Sequence, residues 1–359
     1  MMQSFKIGAA IGIIIGVLAS APAYAWDRSK VDVLTVLPDV TPGVQSSVEG
    51  LTVGPDGNIY VPTFGFNTQG PLTGNGVLFV INPSGQVIRK VTIQNSSPHM
   101  LGLAFNPTLP FEKSLIVLDF GAGNVLQVNP LTGASRVLAG PIPTSGLNAL
   151  TFDSAGNAYV SDSFNGVIWK VPPAGGYSQW SAGPLLGPGT GLTPPFGANG
   201  VEFSNDHKTL YVADTAYHQI IQIPVNADGT AGTPSILITG INAPDGIMVD
   251  RKGNIWICSN QEDEIVVIDP DAKPNAKVIA KLGDFYGIDH NGIAQGFLFP
   301  ASLAFSNDGS TLYVSNLTLY LPYAGADPAI DSDWTLQVKG YTVSKLPAII
   351  PPFPALFGH

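Results

Sequence analysis

Six segments of this chain carry one pattern, and that repetition constrains the fold more than any local signal. Each is an apolar strand, a short turn usually rich in Gly, Asn or Asp, and a second strand ending in Tyr-Val or a close variant. They read EGLTVGPDGNIYVP from Glu49, LGLAFNPTLPFEKSLIVLD from Leu101, NALTFDSAGNAYVSD from Asn148, NGVEFSNDHKTLYVAD from Asn199, DGIMVDRKGNIWICS from Asp245 and ASLAFSNDGSTLYVS from Ala301. Their starts lie 46 to 56 residues apart. A unit of this length cannot bury its apolar face alone, so the copies must stack on one another. Two more strand-like runs follow within the copies, such as 77–81 with 87–93, 125–128 with 135–139, and 265–268 with 277–281. Six copies of four strands predict an all-β chain folded as a six-bladed β-propeller with four-stranded blades.

Copy six offers 335–343 as a third strand and no clear fourth. The run VDVLTVLPD at 31–39 reads as the missing outermost strand. The N-terminal strand is therefore expected to pair with blade six and close the ring, which removes an open sheet edge. Composition agrees with a turn-rich β protein: 41 Gly and 31 Pro stand against only 12% charged residues. The formal net charge of -10 argues against nucleic acid, whose backbone needs a basic face. The single cysteine, Cys258, excludes an intramolecular disulfide and reads as a buried, inert thiol between apolar neighbours.

At the N-terminus, Lys6 precedes an apolar run over 7–18 and an Ala23-Tyr24-Ala25 cleavage pattern. This predicts a signal peptide over 1–25, cut before Trp26, and a periplasmic or secreted protein. The run is too short for a membrane span, so none is expected once the signal is removed. The propeller is assigned to 26–345, a Pro-rich tail to 346–359, and the assembly is expected to be a monomer.

The innermost strand of every blade lines the central channel, so equivalent positions form a ring around its axis. That ring reads Glu49, Leu101, Asn148, Asn199, Asp245 and Ala301. Two carboxylates and two amide oxygens on one axis make a hard, all-oxygen donor set. Ca²⁺ suits it, taking about 6–8 oxygens at about 2.3–2.6 Å in irregular geometry. No His or Cys occupies the ring, which disfavours Zn²⁺. Four protein donors leave room for water or a substrate oxygen.

The Glu-Gly start, the two Asn-led strands and the segment PDGIMVDRKGNIWI resemble the SMP-30/gluconolactonase superfamily of calcium-dependent six-bladed propellers, which includes regucalcin, bacterial lactonases, diisopropyl fluorophosphatase and the paraoxonases. The resemblance implies that Glu49, Asn148, Asn199 and Asp245 hold a catalytic calcium, with Asp245 also a candidate base or nucleophile. PHMLGLAF is similar to the Pro-His-Gly-Ile segment of paraoxonases, which implies His99 as a general base, one residue out of step. Their partner histidine falls near Phe120 and is missing. The carboxylate that follows the metal Glu in paraoxonases is Gly50 here, so their second axial calcium is not implied. The arginine with which regucalcin binds sugar lactones has no match.

Long connections at 63–76, 182–198, 283–300 and 316–334 are expected on the ring's face. They and neighbouring loops carry Phe64, Phe66, Phe120, Phe164, Phe196 and Tyr217, with His218 and His290 as further candidates for contacting substrate. Aromatics above a cation suit a hydrophobic lactone or ester better than a sugar. The expected function is an exported calcium-dependent hydrolase of such small molecules, with calcium polarising the carbonyl and water attacking. Two other readings stay open: a binding propeller of the NHL type whose channel metal is structural, and an enzyme similar to strictosidine synthase, which LGLAFNP fits.

Overall fold

The computed structural model describes residues 25–27, 31–189, 196–324 and 332–350. The hairpins begin with turn chemistry. In blade three the Asp153 carboxylate accepts the backbone N–H groups of Ala155 and Asn157, and Gly156 takes φ 79°. Asp250 repeats the arrangement with Lys252 and Asn254, around Gly253 at φ 89°. The second oxygen of each aspartate accepts from the following strand, from the Tyr159 hydroxyl or the Trp256 indole N–H. The Asp-x-x-Gly-Asn pattern thus fixes both the turn and the strand after it.

Six four-stranded antiparallel sheets result, each running from the channel outward. The innermost strands are Thr52–Val53, Met100–Phe105, Leu147–Phe152, Ala198–Phe203, Pro244–Val249 and Pro300–Phe305. Each contacts the next, and Pro300–Phe305 contacts Thr52–Val53, so the molecule is a six-bladed β-propeller. Second strands such as Leu115–Asp119, Ala158–Asp162 and Ile255–Ser259 are buried along their whole length. Their side chains fill the spaces between blades. Trp256, Ile265 and Val267 of blade five pack on Leu303, Leu312 and Val314 of blade six. Ile59, Val61 and Phe79 of blade one pack on Ala304, Tyr313 and Val343, also of blade six. Each such aliphatic or aromatic group contributes about 1.5–3 kcal/mol through burial. Cys258 is fully buried in the first of these clusters.

The ring closes as the sequence predicts: Asp32–Val36 is the outermost strand of blade six, antiparallel to Thr342–Pro347. The third strand itself differs from expectation. It is Thr342–Pro347, not 335–343, and Ser332–Thr335 is a short helix. Asp333 in the first turn of that helix favours the helical start, and the continuously buried run begins only at Gly340. Leu346, Pro347 and the residues to 350 are therefore part of, or adjacent to, blade six. Ala25–Asp27 adds a fifth, parallel strand to blade five along Lys277–Leu282, which the repeat did not anticipate. The expected signal residues 1–24 and tail residues 351–359 lie outside the described residues. Among the described residues no helix is long and apolar enough to cross a membrane.

Two backbone devices shape the channel. In blades two to six the ladder between first and second strands carries one extra residue at the ring position. In blade three, Leu147 pairs with Asp162 and Leu150 with Val160, so Asn148 sits in a β-bulge. Such bulges re-aim a side chain. The residue just after each ring position is small: Gly50, Gly102, Ala149, Gly200, Gly246 and Ser302. A Cβ at Gly50 would lie 2.1 Å from the Leu101 carbonyl oxygen, and one at Gly200 2.2 Å from that of Asp245. Neighbouring inner strands meet backbone to backbone, and that contact draws the ring tight.

Candidate metal centre and its apolar vestibule

Glu49, with Leu101, Asn148, Asn199 and Asp245 at their bulges, forms the wall of one cavity of about 120 Å³. The four polar members are only 4–7% exposed. Ala301, the sixth ring position, is fully buried beside Leu101 in an apolar cluster. Burial dominates the electrostatics. It pushes the Asp245 carboxyl up to about 8, against the lowering effect of the Asn260 hydrogen bond and the neighbouring Asn199 amide. It also pushes Glu49 well above the usual carboxylate range, with the Asp245 charge adding to the effect. Two carboxylates in this setting require protons or a cation between them.

Hydrogen bonding leaves donor atoms open in the ring. Asn199 Oδ1 and Asp245 Oδ1 are buried and have no hydrogen-bond partner. An orphaned buried oxygen costs about 1–3 kcal/mol, and coordination of a hard cation removes that cost. Among the described residues no three His, Cys, Asp or Glu side chains gather to hold a metal ion. A cation here would take half of its protein donors from amides, a set that fits Ca²⁺ better than Zn²⁺.

Above the ring the wall is apolar. Phe64, Phe66, Phe120, Phe164 and Phe196 line it together with Leu317, Leu319 and Leu321, which pack against Phe64 and Phe66. The phenylalanines form a continuous belt, with ring centroids 4.9 Å apart for Phe66–Phe64, 5.9 Å for Phe64–Phe120, 5.7 Å for Phe120–Phe164 and 5.6 Å for Phe164–Phe196. Phe64, Phe120 and Phe164 each follow the end of a second strand by one or two residues. Asp162 makes that exit rigid, accepting the N–H groups of Gly146, Phe164 and Asn165.

Of the other sequence candidates, His99 is outside this lining. Its Nδ1 lies 2.8 Å from the Phe64 carbonyl oxygen and its ring packs on Phe66 at 4.8 Å, so it stands behind the aromatic wall. Tyr217 is 46% exposed and also outside the lining. His218 Nδ1 accepts the Ala243 N–H, which fixes its ring on the loop before blade five. His290 is exposed in the turn joining Phe285–Ile288 to Ala294–Gly296. Five of the eight rim candidates, Phe64, Phe66, Phe120, Phe164 and Phe196, are brought together over the ring, whereas Tyr217, His218 and His290 lie outside its lining.

Sequence reasoning missed Thr215, Asn260 and the three leucines. The leucines carried a signal in the alternation of NLTLYLPY, which puts Leu317, Leu319 and Leu321 on one side. Tyr323 packs against the leucines, meets Tyr320 edge to face at 5.2 Å and donates its hydroxyl to the Thr68 carbonyl. Thr215 and Asn260 occupy equivalent places, each directly after a second strand.

A family model described as SMP-30/Gluconolactonase/LRE-like region matches residues 194–282, which include Asn199 and Asp245. Lactonase drp35 of Staphylococcus aureus (strain bovine RF122 / ET3-1) is 25% identical over 139 residues, 37% of this chain and 41% of that protein. These matches support the SMP-30/gluconolactonase superfamily. NHL repeat-containing protein 3 of Mus musculus is 24% identical over 247 residues, 67% of this chain and 56% of its own. The chain thus spans about two-fifths of the first curated superfamily relatives it matches. Among solved structures, the calcium-binding protein regucalcin of Agrobacterium tumefaciens strain C58 superposes with a TM-score of 0.62. It is 19% identical, with 90% of this chain and 95% of that one covered. That likeness is one of fold.

Proposed function

We propose that the protein is an exported, calcium-dependent hydrolase of hydrophobic lactones or esters. The observation that carries this reading is the pair of unpartnered oxygens, Asn199 Oδ1 and Asp245 Oδ1, beside two buried carboxylates at the floor of an apolar vestibule. Similarity to lactonase drp35 supports the reaction class, and the calcium-binding character of regucalcin supports the ion. Glu49, Asn148, Asn199 and Asp245 would hold the cation. Bound there, calcium supplies Lewis-acid polarisation of a carbonyl oxygen. The belt of phenylalanines and the three leucines desolvate an alkyl or aryl group and orient the carbonyl toward the ring. They offer a sugar few partners for its hydroxyls. Asp245, with its Oδ2 held by Asn260, would be the group that accepts a proton from water. His99 would act from behind Phe64 and Phe66, and has the weaker claim. Export rests on the residue pattern before Trp26.

The deciding measurement is hydrolysis of a panel of aryl esters and alkyl-substituted lactones before and after EDTA treatment. Activity should vanish with EDTA and return with Ca²⁺; full activity in EDTA sinks the proposal. Similarity to the NHL repeat protein over two-thirds of the chain favours one second reading, a binding propeller with a structural ion. Calcium-dependent stability without hydrolysis of any ester or lactone would point to it.

A further inference from the structure

Two residues outside the ring decide which of its atoms stay free. Thr215 follows Thr209–Asp214 in blade four, and Asn260 follows Ile255–Ser259 in blade five. Both are buried and line the cavity. The Thr215 hydroxyl has one proton, and it donates that proton to the Pro244 carbonyl at 2.8 Å. Toward Asn199 it can therefore only accept. The Asn199 amide must present its Nδ2 group, which it does at 3.0 Å. The amide's orientation is settled by the direction of the bond, and Oδ1 is the atom left unpartnered.

Blade five solves the same problem for a carboxylate, which needs a donor. Asn260 Oδ1 accepts from Gln261 Nε2 at 2.6 Å, so its Nδ2 group faces the other way. That group donates to Asp245 Oδ2 at 3.1 Å and to the Pro300 carbonyl at 3.4 Å. One oxygen of Asp245 is occupied and Oδ1 remains bare. The pairing is complementary: an amide in the ring meets an accepting hydroxyl, and a carboxylate in the ring meets an amide donor. Each partner also reaches the carbonyl just before the next ring residue, Pro244 before Asp245 and Pro300 before Ala301. The two are linked in series from blade four to blade six.

We propose that Thr215 and Asn260 are positioning residues that aim Asn199 Oδ1 and Asp245 Oδ1 at a divalent cation on the channel axis. This rests on reading the ring as a cation site, and the test separates the two. Ca²⁺ affinity is measured by chelator competition, and bound waters are counted from Tb³⁺ luminescence decay in H₂O and D₂O. The proteins are the wild type, Thr215→Val, Thr215→Ser, Asn260→Leu and Asp245→Asn. Melting in EDTA checks that each is folded, and Thr215→Ala replaces Thr215→Val if the isostere does not fold.

Loss of the outer partner should weaken Ca²⁺ binding about 10–100-fold and add one water to bound Tb³⁺ in Thr215→Val and Asn260→Leu. Thr215→Ser, which keeps the hydroxyl, should bind like the wild type. Wild-type affinity in Thr215→Val and Asn260→Leu, with Asp245→Asn weakened, overturns the inference and leaves the cation site standing. Equal weakening in Thr215→Ser and Thr215→Val, with no added water, also overturns it, because that is the mark of packing alone. A wild type that binds neither ion overturns the inference together with the reading beneath it.

Discussion

An amide two residues into a core strand, such as Asn148 or Asn199, is a costly choice unless its oxygen has a role. The ring shows that role at the scale of single atoms. Four polar side chains in it were legible from the repeat, because one position in six aligned copies is visible without any coordinates. Thr215 and Asn260 were not, because a Thr or Asn after a strand gives no hint of the bond directions that close around it. His99, His218 and His290 read as proton-transfer or substrate groups, yet local backbone contacts or turn position hold them outside the cavity. Asn148→Ala and Asp245→Ala should each lower calcium affinity and turnover by at least about 10-fold while circular dichroism stays that of the wild type. Calcium affinity should also depend on pH in a set direction. Burial raises Asp245 to about 8 and shifts Glu49 in the same direction, so near neutrality a cation must displace the Asp245 proton. Affinity should therefore rise between pH 6 and 9, measured by calorimetric titration, and a flat profile would contradict the shifts.

At the scale of elements, the blades followed from the strand-turn-strand text, since Asp-x-x-Gly-Asn specifies both turn and register. The third strand of blade six did not, because the run 335–343 is apolar enough to pass for a strand. Its first residue closes a short helix, and the pairing edge begins only at Thr342. The bulges were equally silent: the extra residue shows only when the two strands are laid side by side. The small residue after each ring position was in plain view, but its reason is a carbonyl in the neighbouring blade. Gly200→Ala tests that reason directly. Its Cβ would meet the Asp245 carbonyl oxygen at 2.2 Å, and overpacking of this kind costs about 1–3 kcal/mol. Chemical denaturation should show that loss, and calcium affinity should fall with it as Asp245 is pushed off its place.

Over the whole molecule, the order of chain and order of blades coincide except where Ala25–Asp27 joins blade five and at the seam between blades six and one. Asp32–Val36 crosses that seam by completing blade six, and Val48 and Leu51 beyond it pack against Tyr313 and Val343. A chain beginning at residue 37 should lose that outer strand and present the backbone of Thr342–Pro347 to solvent. Its unfolding midpoint should drop by about 2–4 °C for each kcal/mol lost, and light scattering should report association through the open edge. The tight backbone contact around the channel has a further consequence for how such a molecule can change. Because main chain sets the width of the opening, the six side chains at that level act as interchangeable letters in a frame of constant size. Leu101 occupies one of these places and carries no oxygen. An asparagine written there would bring a fifth side-chain oxygen to the same depth, so the donor set of the proposed cation site can be respelled one residue at a time.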